Sequence, residues 1–319
     1  MRDMKVAKFQ KYIRLYAMFI VLLILVIVFS VMTPAFLKSS NISSVLRQIS
    51  MLGITAVGMM LPILLGGIDL SVGAIITFVN IICAYMMVNK GWNAVAAVAV
   101  TLIISILIGM IDGIIIAKVN IPPLIMTFAM QMILEGASYV LSDGLPIYGF
   151  PEKFAVIGQG YIAFAPIPVI IMILCFAFGA FVLNKTYFGR FFYAVGGNEE
   201  ASKLSGINVF SVKTLAYTLS GLFAGIAGIV MLSRTNSGTP NAGKGFEMDV
   251  LTAIVLGGVS INGGRGRIHN VIAGVLIIGV LQNGLILMNV GTYVQYIVKG
   301  IVLAAAVGYD CLQNLKKAN

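Results

Sequence analysis

The stretch LLGGIDLSVGA, residues 64–74, joins two apolar runs through a pair of glycines and places Asp69 directly behind them. Gly66 and Gly67 interrupt a helix, and the four residues that follow are typical of the start of another. Asp69 can accept hydrogen bonds from the unpaired N–H groups of that first turn, at the positive end of its dipole. We therefore interpret Asp69 as a helix cap rather than a substrate ligand. The break over 64–71 is either a full connection or a re-entrant hairpin.

The composition around this stretch predicts a membrane protein. Of the 319 residues, 60% are apolar and 10% are charged, whereas soluble chains have about 45–50% apolar and about 25% charged residues. Apolar runs of bilayer-spanning length recur along the whole chain. We predict an all-α polytopic membrane protein.

The same composition excludes several other classes of protein. The net charge of +10 is spread between the apolar runs and at the chain ends, which argues against a nucleic-acid-binding protein. The three cysteines have no paired spacing, so no disulfide framework is predicted. Because His269 is the single histidine, we predict no histidine-based metal site or catalytic triad. We predict no metal site and no catalytic residue in this chain.

The apolar runs predict about ten transmembrane helices. They lie at residues 16–32, 44–66, 68–88, 93–117, 121–141, 164–183, 212–232, 248–262, 268–288 and 292–310. The first is expected to be an uncleaved span, because its apolar stretch is longer than that of a signal peptide and no A-x-A site follows. With the N-terminus inside, 14 of the 21 Lys and Arg residues fall in cytoplasmic segments. The positive-inside rule then predicts that both termini are cytoplasmic.

We expect the chain to form one integral domain over residues 1–319. It comprises a first half (16–183), a polar cytoplasmic loop (184–213) and a second half (212–310). The Gly-, Ser- and Asn-rich segment 233–247 is expected to be an external loop.

The two halves contain similar segments. DGIIIAKVN at Asp112 resembles NGLILMNVG at Asn283, and DLSVGAI at Asp69 resembles DVLTAIV at Asp249. In the predicted topology the matching spans have opposite orientations, which suggests an inverted repeat of the kind common in transporters. Chance similarity between segments rich in Ile, Leu and Gly is the alternative.

Polar side chains within the spans are candidates for a translocation path. Ionisable groups at bilayer depth cost about 2.5–3.5 kcal/mol on insertion scales, so they usually face a bundle interior or a water-filled path. Five such groups occur: Asp69, Asp112, Glu135, Asp249 and Lys299. The full set of candidate path or gate residues is Asp69, Ser71, Asn80, Asp112, Asn120, Asp249, Gln282 and Asn283. The alternative is that these groups join helices or lie at the headgroups.

The cytoplasmic loop contains a predicted surface helix. Gly196 to Asn198 form a turn, two glutamates suit the first helical turn, and Gly206 suits a C-cap. Such a helix could transmit motion from a soluble partner to the spans, or the segment could be an ordinary surface loop.

Three motifs carry a resemblance to a known family. GIDLSVGA (67–74), GGNEEASKLSGINV (196–209) and LGGVSINGGRGRI (256–268) together resemble the ribose-type sugar permeases of bacterial ABC importers, a family that includes permeases for ribose, xylose, galactose and autoinducer-2. The resemblance covers nearly the whole chain. Residues 200–206 also match the spacing of the importer EAA-x3-G coupling motif, with Ser202 in place of the second alanine.

The resemblance implies a fold, partners and a location. It implies the ten-helix type II importer fold, with two permease copies enclosing one path for a small sugar in the bacterial inner membrane, surrounded by lipid. A tandem ATPase would bind below and a soluble sugar-binding protein above; no nucleic acid is implied. The ATPase-coupling residues would be Gly197, Asn198, Glu199, Glu200, Ala201, Ser202 and Gly206.

Nucleotide chemistry is expected in the partner. The sequence has no G-x-x-x-x-G-K-[ST] motif, so it lacks a Walker A loop. ATP and Mg²⁺ would be used by the ATPase, and this chain, a transport subunit and not an enzyme, would bind no cofactor.

Other functions remain open on the sequence. A permease of the same architecture could carry another pentose, a hexose, a nucleoside or autoinducer-2. A secondary transporter could instead couple protons or sodium through Asp69, Asp112 or Asp249. A membrane enzyme ranks last, because no catalytic cluster is present.

Overall fold

The computed structural model describes residues 18–318, and these residues form an almost entirely helical protein. The predicted N-terminal segment before residue 18 and residue 319 lie outside the described residues. In chain order the helices are α1 Met18–Met32, α2 Ser39–Leu64, α3 Ser71–Val88, α4 Ala94–Val119, α5 Pro123–Ser142, α6 Glu152–Gln159, α7 Ile167–Lys185, α8 Tyr187–Gly197, α9 Glu199–Leu204, α10 Val209–Thr235, α11 Phe246–Leu256, α12 Ile268–Leu287 and α13 Thr292–Ala318. A short hairpin, β1 Tyr161–Ile162 and β2 Ala165–Pro166, lies between α6 and α7.

Eight of these helices are long and apolar enough to cross a membrane: α2, α3, α4, α5, α7, α10, α12 and α13. The apolar helix α1 is shorter over its described residues. The prediction of an all-α polytopic membrane protein is confirmed.

The eighth predicted span, residues 248–262, is wrong as a continuous helix. The structure has only α11 there, 11 residues long, and its ~16 Å length is about half of the ~30 Å hydrocarbon core. The chain leaves α11 at Gly257 and forms a loop as far as Arg267.

Helices α2 and α10 form the buried centre of the bundle and run in opposite directions. Near the start of α2, Arg47 donates to the carbonyl of Gln159 at 2.7 Å, and the Gln159 amide donates to the carbonyl of Arg234, near the end of α10, at 3.0 Å. Further along, Gly58 of α2 packs on Ser220 of α10. The start of one helix therefore lies beside the end of the other.

The remaining helices pack around this centre in two matching sets. Helix α10 contacts α3 and α4, and α3 contacts α5; correspondingly, α2 contacts α11 and α12, and α11 contacts α13. If α2 is exchanged with α10, α3 with α11, α4 with α12 and α5 with α13, one set of contacts becomes the other. The corresponding helices α2 and α10 are antiparallel. This is the packing that the inverted repeat predicts.

The connection between α10 and α12 crosses the bundle as an extended chain followed by a short helix. Gln48 and Asn41 of α2 meet Gln282 and Asn283 of α12 in antiparallel order, so α12 runs parallel to α10. The chain must therefore return between them. Residues 236–245 do so in non-helical form and continue into α11.

This extended segment lies against α3. The backbone N–H of Thr239 donates to Asn80 at 2.9 Å, and that of Gly243 donates to Thr77 at 2.9 Å. Irregular backbone at membrane depth requires this kind of burial in protein. Part of the expected external loop 233–247 is thus inside the bundle, and that prediction is corrected: hydropathy cannot distinguish a polar segment buried among helices from one in water.

Helix α3 also begins inside the bundle. Its cap Asp69 lies beside Ser220, eleven residues after the start of α10, which is ~16 Å along that helix. The connection 65–70 therefore turns back from the end of α2 into the protein. Two helices, α3 and α11, thus start within the bundle.

Candidate functional site at the cytoplasmic face and in the membrane interior

Two of the motifs that carry the family resemblance, 196–209 and 256–268, meet at the end of α2, just before the first motif begins. Gly264 N donates to the carbonyl of Leu64, just before Gly66, at 2.8 Å. Gly196, at the end of α8, packs so closely on Leu64 and Gly264 that a Cβ would overlap their backbone. Tyr193 donates to the carbonyl of Gly266 at 2.9 Å. The end of α2, the α8–α9 turn and the 257–267 loop therefore form one unit.

Helix α9 is the predicted surface helix, and its sequence caps both ends. Asn198 Oδ1 accepts from the N–H of Ala201 at 2.9 Å, as an N-cap does. Gly206 follows the helix with φ of 81°, a backbone conformation that favours glycine. Ser202 faces inward and is buried, whereas Ala201 and Gly197 are exposed.

Ion pairs fix α9 to the start of α10. Glu199 lies 2.7 Å from Lys213 of α10 and 3.1 Å from Lys203, and Glu200 lies 3.0 Å from Lys203. Partial burial raises the pKa of Glu199, but the hydrogen bonds and charges of Lys213 and Lys203 outweigh it, so that its pKa lies below the ordinary value. Glu199 is therefore ionised at neutral pH and tethers α9 to a central helix.

The outer side of α9 is open. The side chain of Glu200 is 80% exposed and Leu204 is 89% exposed. A cavity of about 370 Å³ separates α9 from the α4–α5 connection and includes the candidate path residue Asn120, which ends α4 in a left-handed conformation. Asn120 therefore lies beside α9.

Three further candidate path residues form a closed network at the start of α3. Asp69 Oδ1 accepts from Ser71 N at 3.0 Å and Ser71 Oγ at 2.6 Å, and Asp69 Oδ2 accepts from Ser220 Oγ at 2.6 Å. Ser71 Oγ also lies 3.3 Å from Asp112 of α4. All four residues are essentially unexposed. The capping bond predicted for Asp69 is present, and these groups join α3, α4 and α10.

The candidates on α12 lie against α2. Asn41 and Asn283 exchange amide hydrogen bonds of 3.0 and 2.9 Å. Gln48 donates to Gln282 at 2.9 Å. Asn80, in α3, accepts from the extended segment as described above. These three candidates therefore hold elements of the bundle together.

Asp249 has a different environment. It pairs with Lys299 of α13 at 2.8 Å, and the side chain of Gln282 lies nearby. The pair borders a cavity of about 210 Å³ between α11 and α13, which we call the α11–α13 pocket; it is lined by Gly245, Met248, Asp249, Thr252, Tyr296, Lys299, Gly300 and Leu303. Among the described residues, the candidate Asp249 thus lines a cavity between two helices.

Sequence reasoning noted Lys299 as a charge within a span but did not place it in the site. Its pairing with Asp249 could have been suspected, because Lys299 is a basic residue in the middle of a predicted span and needs a partner at bilayer depth. Tyr296 and Thr252 carried no comparable signal, since single Tyr and Thr residues are ordinary in membrane helices.

Comparisons with known proteins agree with these features. Residues 41–307 match the profile of the family described as "Branched-chain amino acid transport system / permease component". The chain is 43% identical to the ribose import permease protein of Bacillus subtilis, an alignment that covers 92% of this chain and 91% of that protein. It is 42% identical to the ribose import permease protein of Escherichia coli K12 (91% and 92% covered).

A third relative is named for a different sugar. The L-arabinose transport system permease protein of Escherichia coli K12 is 38% identical, with 92% of this chain and 90% of that protein covered. No solved structure matches the chain. The family match spans most of the sequence and the relatives align almost end to end, so this chain belongs to the family of ABC-type permease components whose profile it matches.

Proposed function

We propose that the chain is the membrane permease subunit of an ATP-driven importer for a monosaccharide, with D-ribose as the first substrate to test. The relatives named for ribose and arabinose support a pentose, although the family description names amino acids. A permease for a nucleoside or for autoinducer-2 would have the same architecture, and direct uptake assays distinguish these substrates.

The proposed assembly has two copies of this chain, a tandem ATPase on the cytoplasmic side and a soluble sugar-binding protein outside. ATP and Mg²⁺ are used by the ATPase. Residues 1–319 form one integral domain of the bacterial inner membrane with both termini in the cytoplasm, and 184–213 is the coupling loop. Helix α13, whose membrane-length segment has no buried residues within one copy, supports a partner on that side.

The observation that carries this proposal is the construction of α9. Its outer side is exposed, while Glu199 and Lys213 connect it to α10, and Gly196 connects the preceding turn to the end of α2. A force on α9 therefore acts on the two central, antiparallel helices. In the proposed mechanism, nucleotide-driven movement of the ATPase displaces α9 and reorients the halves of the inverted repeat.

The test is ATP hydrolysis by liposomes that contain the chain with its candidate ATPase, comparing the wild type with Glu200→Arg. Glu200 contacts only Lys203 among the described ion pairs, so the substitution leaves the spans intact. Glu152→Arg is the matched control: Glu152 is also an exposed acid in the first turn of a short helix, but on the external side.

We expect Glu200→Arg to abolish stimulated hydrolysis or assembly, and Glu152→Arg to behave as the wild type. Equal activity of the two variants would show that α9 is not the coupling element. Uptake without any ATPase would instead support the secondary transporter.

A further inference from the structure

The α11–α13 pocket lies near the middle of the membrane. Asp310 of α13 accepts hydrogen bonds from Ser260 Oγ and Ile261 N in the 257–267 loop after α11. This loop lies on the same side of the bundle as the end of α2 and the α8–α9 turn. Lys299 is eleven residues earlier on the same helix, which places it ~16 Å from that loop. This is about half of the ~30 Å hydrocarbon core.

The pocket does not face lipid. The side chains of Lys299 and Asp249 are 23% and 12% exposed, and a partly exposed ion pair at this depth is unfavourable against hydrocarbon. The exposed side of α13 must therefore adjoin water or a second protein copy. The pocket is then part of an aqueous cavity or becomes enclosed between copies.

The ion pair has unused hydrogen-bonding capacity toward the pocket. A carboxylate accepts about four hydrogen bonds and an ammonium group donates three, whereas the described partners of Asp249 are Lys299 and Gln282. One hydroxyl of a vicinal diol can donate to Asp249 while its neighbour accepts from Lys299. Tyr296, 57% exposed, offers an aromatic face to the apolar side of a sugar ring.

The size of the pocket fits a small solute. Its ~210 Å³ is several times the volume of a water molecule (about 30 Å³) and below that of pockets for drug-sized ligands (about 300–1,000 Å³). Two lining residues, Gly245 and Gly300, have no side chain, and a Cβ built at either meets nothing within 4 Å. Space is thus left open beside the ion pair.

We propose that the α11–α13 pocket is a monosaccharide contact site on the translocation path, in which Asp249 and Lys299 hydrogen-bond neighbouring hydroxyls of the sugar. This inference rests on the proposed function. Gln282, which lies near the carboxylate, accepts a hydrogen bond from Gln48 of α2 at 2.9 Å, so movement of α2 would change the surroundings of the contact. The site is expected to be weak, because a solute must also leave it.

The first test fills the pocket without altering the ion pair. In proteoliposomes with the ATPase and binding protein, initial rates of [¹⁴C]D-ribose uptake are compared for Gly300→Leu and the control Gly136→Leu. Gly136 of α5 and Gly300 are both exposed with open space at Cβ, but Gly136 does not line the pocket.

We expect Gly300→Leu to reduce the rate by about tenfold or more, as loss of a charge-assisted hydrogen bond would, and Gly136→Leu to remain within about twofold. Equal rates for the two variants, with wild-type uptake intact, would overturn the pocket while leaving the proposed function standing.

The second test needs no transport. Met248, 42% exposed and lining the pocket, is changed to Cys in a Cys311→Ser background, and reaction with a hydrophilic, membrane-impermeant thiol reagent is measured. Ile103→Cys is the control, since Ile103 is exposed to a similar degree (56%) on an apolar stretch of α4.

We expect Met248→Cys to react faster than Ile103→Cys, and D-ribose to slow its reaction. Equally slow reaction of both would show that the pocket is not aqueous, and reaction unaffected by D-ribose or L-arabinose would overturn the sugar contact. Both results hold whether or not the wild-type complex imports sugar, so failure of this inference is separable from failure of the proposed function.

Discussion

The starts of α3 and α11 have corresponding places in the two matching sets of helix contacts, yet they differ in how their aspartates are surrounded. Asp69 accepts from three donors, is 1% exposed and borders no cavity among those described. Asp249 forms an ion pair with Lys299, and both residues line the cavity of about 210 Å³. Each of the two helix starts contains an aspartate. The residues around that aspartate decide whether it stabilises the packing of the helices or lines a cavity.

The largest loss of stability is expected when the buried Asp69 is removed. Asp69→Ala leaves Ser71 N, Ser71 Oγ and Ser220 Oγ without their acceptor in a buried site, at about 1–3 kcal/mol for each donor. We expect failure to assemble, measured as loss of the monodisperse species in detergent and a lower thermal midpoint. Asp249→Asn should lower the midpoint less than Asp69→Ala, because the α11–α13 pocket lets water reach the unpaired Lys299; if it unfolds like Asp69→Ala, the comparison fails.

The contact between the two helix starts gives the next largest effect. A Cβ on Gly73 of α3 would lie against Glu247 of α11 and 2.7 Å from the carbonyl of Gly243. Gly73→Ala should cost about 1–3 kcal/mol through overpacking and reduce uptake. Gly300→Ala, where space is open, is the control; equal thermal midpoints for the two variants would contradict this packing.

A smaller effect is expected at Asp112. Ser71 has one hydroxyl proton, and its 2.6 Å contact with Asp69 uses it, so the 3.3 Å contact with Asp112 is satisfied when Asp112 is the donor. An asparagine amide can donate in the same place. Asp112→Asn should therefore stay within about 1 kcal/mol of the wild type, whereas Asp69→Asn, with a single acceptor oxygen, should not. A reversed order, by thermal unfolding in detergent, would contradict the assignment.

The smallest effect lies outside both helix starts. The ion pairs of Glu199 lower its pKa below the ordinary 4.5, so their stabilisation is present above that value and is lost as the pH falls through the lowered pKa. Glu199→Gln should cost about 0.5 kcal/mol or less at pH 7, because the site is partly exposed. Proteolysis of the loop should be unchanged between pH 8 and 5; a change near pH 6 would contradict the tether.

The sequence predicts most of the spans because apolar runs of bilayer length have few other uses. It also predicts the cap at Asp69 and the helix α9 with its Gly206 C-cap, since both depend on local chemistry. It does not predict that residues 236–256 cross the bundle as an extended segment followed by a short helix. The backbone N–H groups of that segment donate to Asn80 and Thr77 of α3, which is distant in the sequence. The pairing of Asp249 with Lys299 likewise depends on packing between α11 and α13.

The same limit applies to the candidate path residues. Asp112, Asn283 and Asp249 are all polar groups in apolar runs, and the sequence alone does not distinguish them. Only the positions of their neighbours separate the groups that join helices from Asp249, which lines the α11–α13 pocket.

The most direct test of the account is a charge swap, Asp249→Lys with Lys299→Asp, measured for thermal stability and for ATP-driven uptake of D-ribose in the reconstituted complex. The swap keeps an ion pair between α11 and α13. It places the hydrogen-bond donor, the ammonium group, on α11 and the acceptor, the carboxylate, on α13. The account predicts a midpoint near that of the wild type with uptake reduced by about tenfold. A swapped variant that regains wild-type uptake together with its stability would show that the pair only holds the helices together.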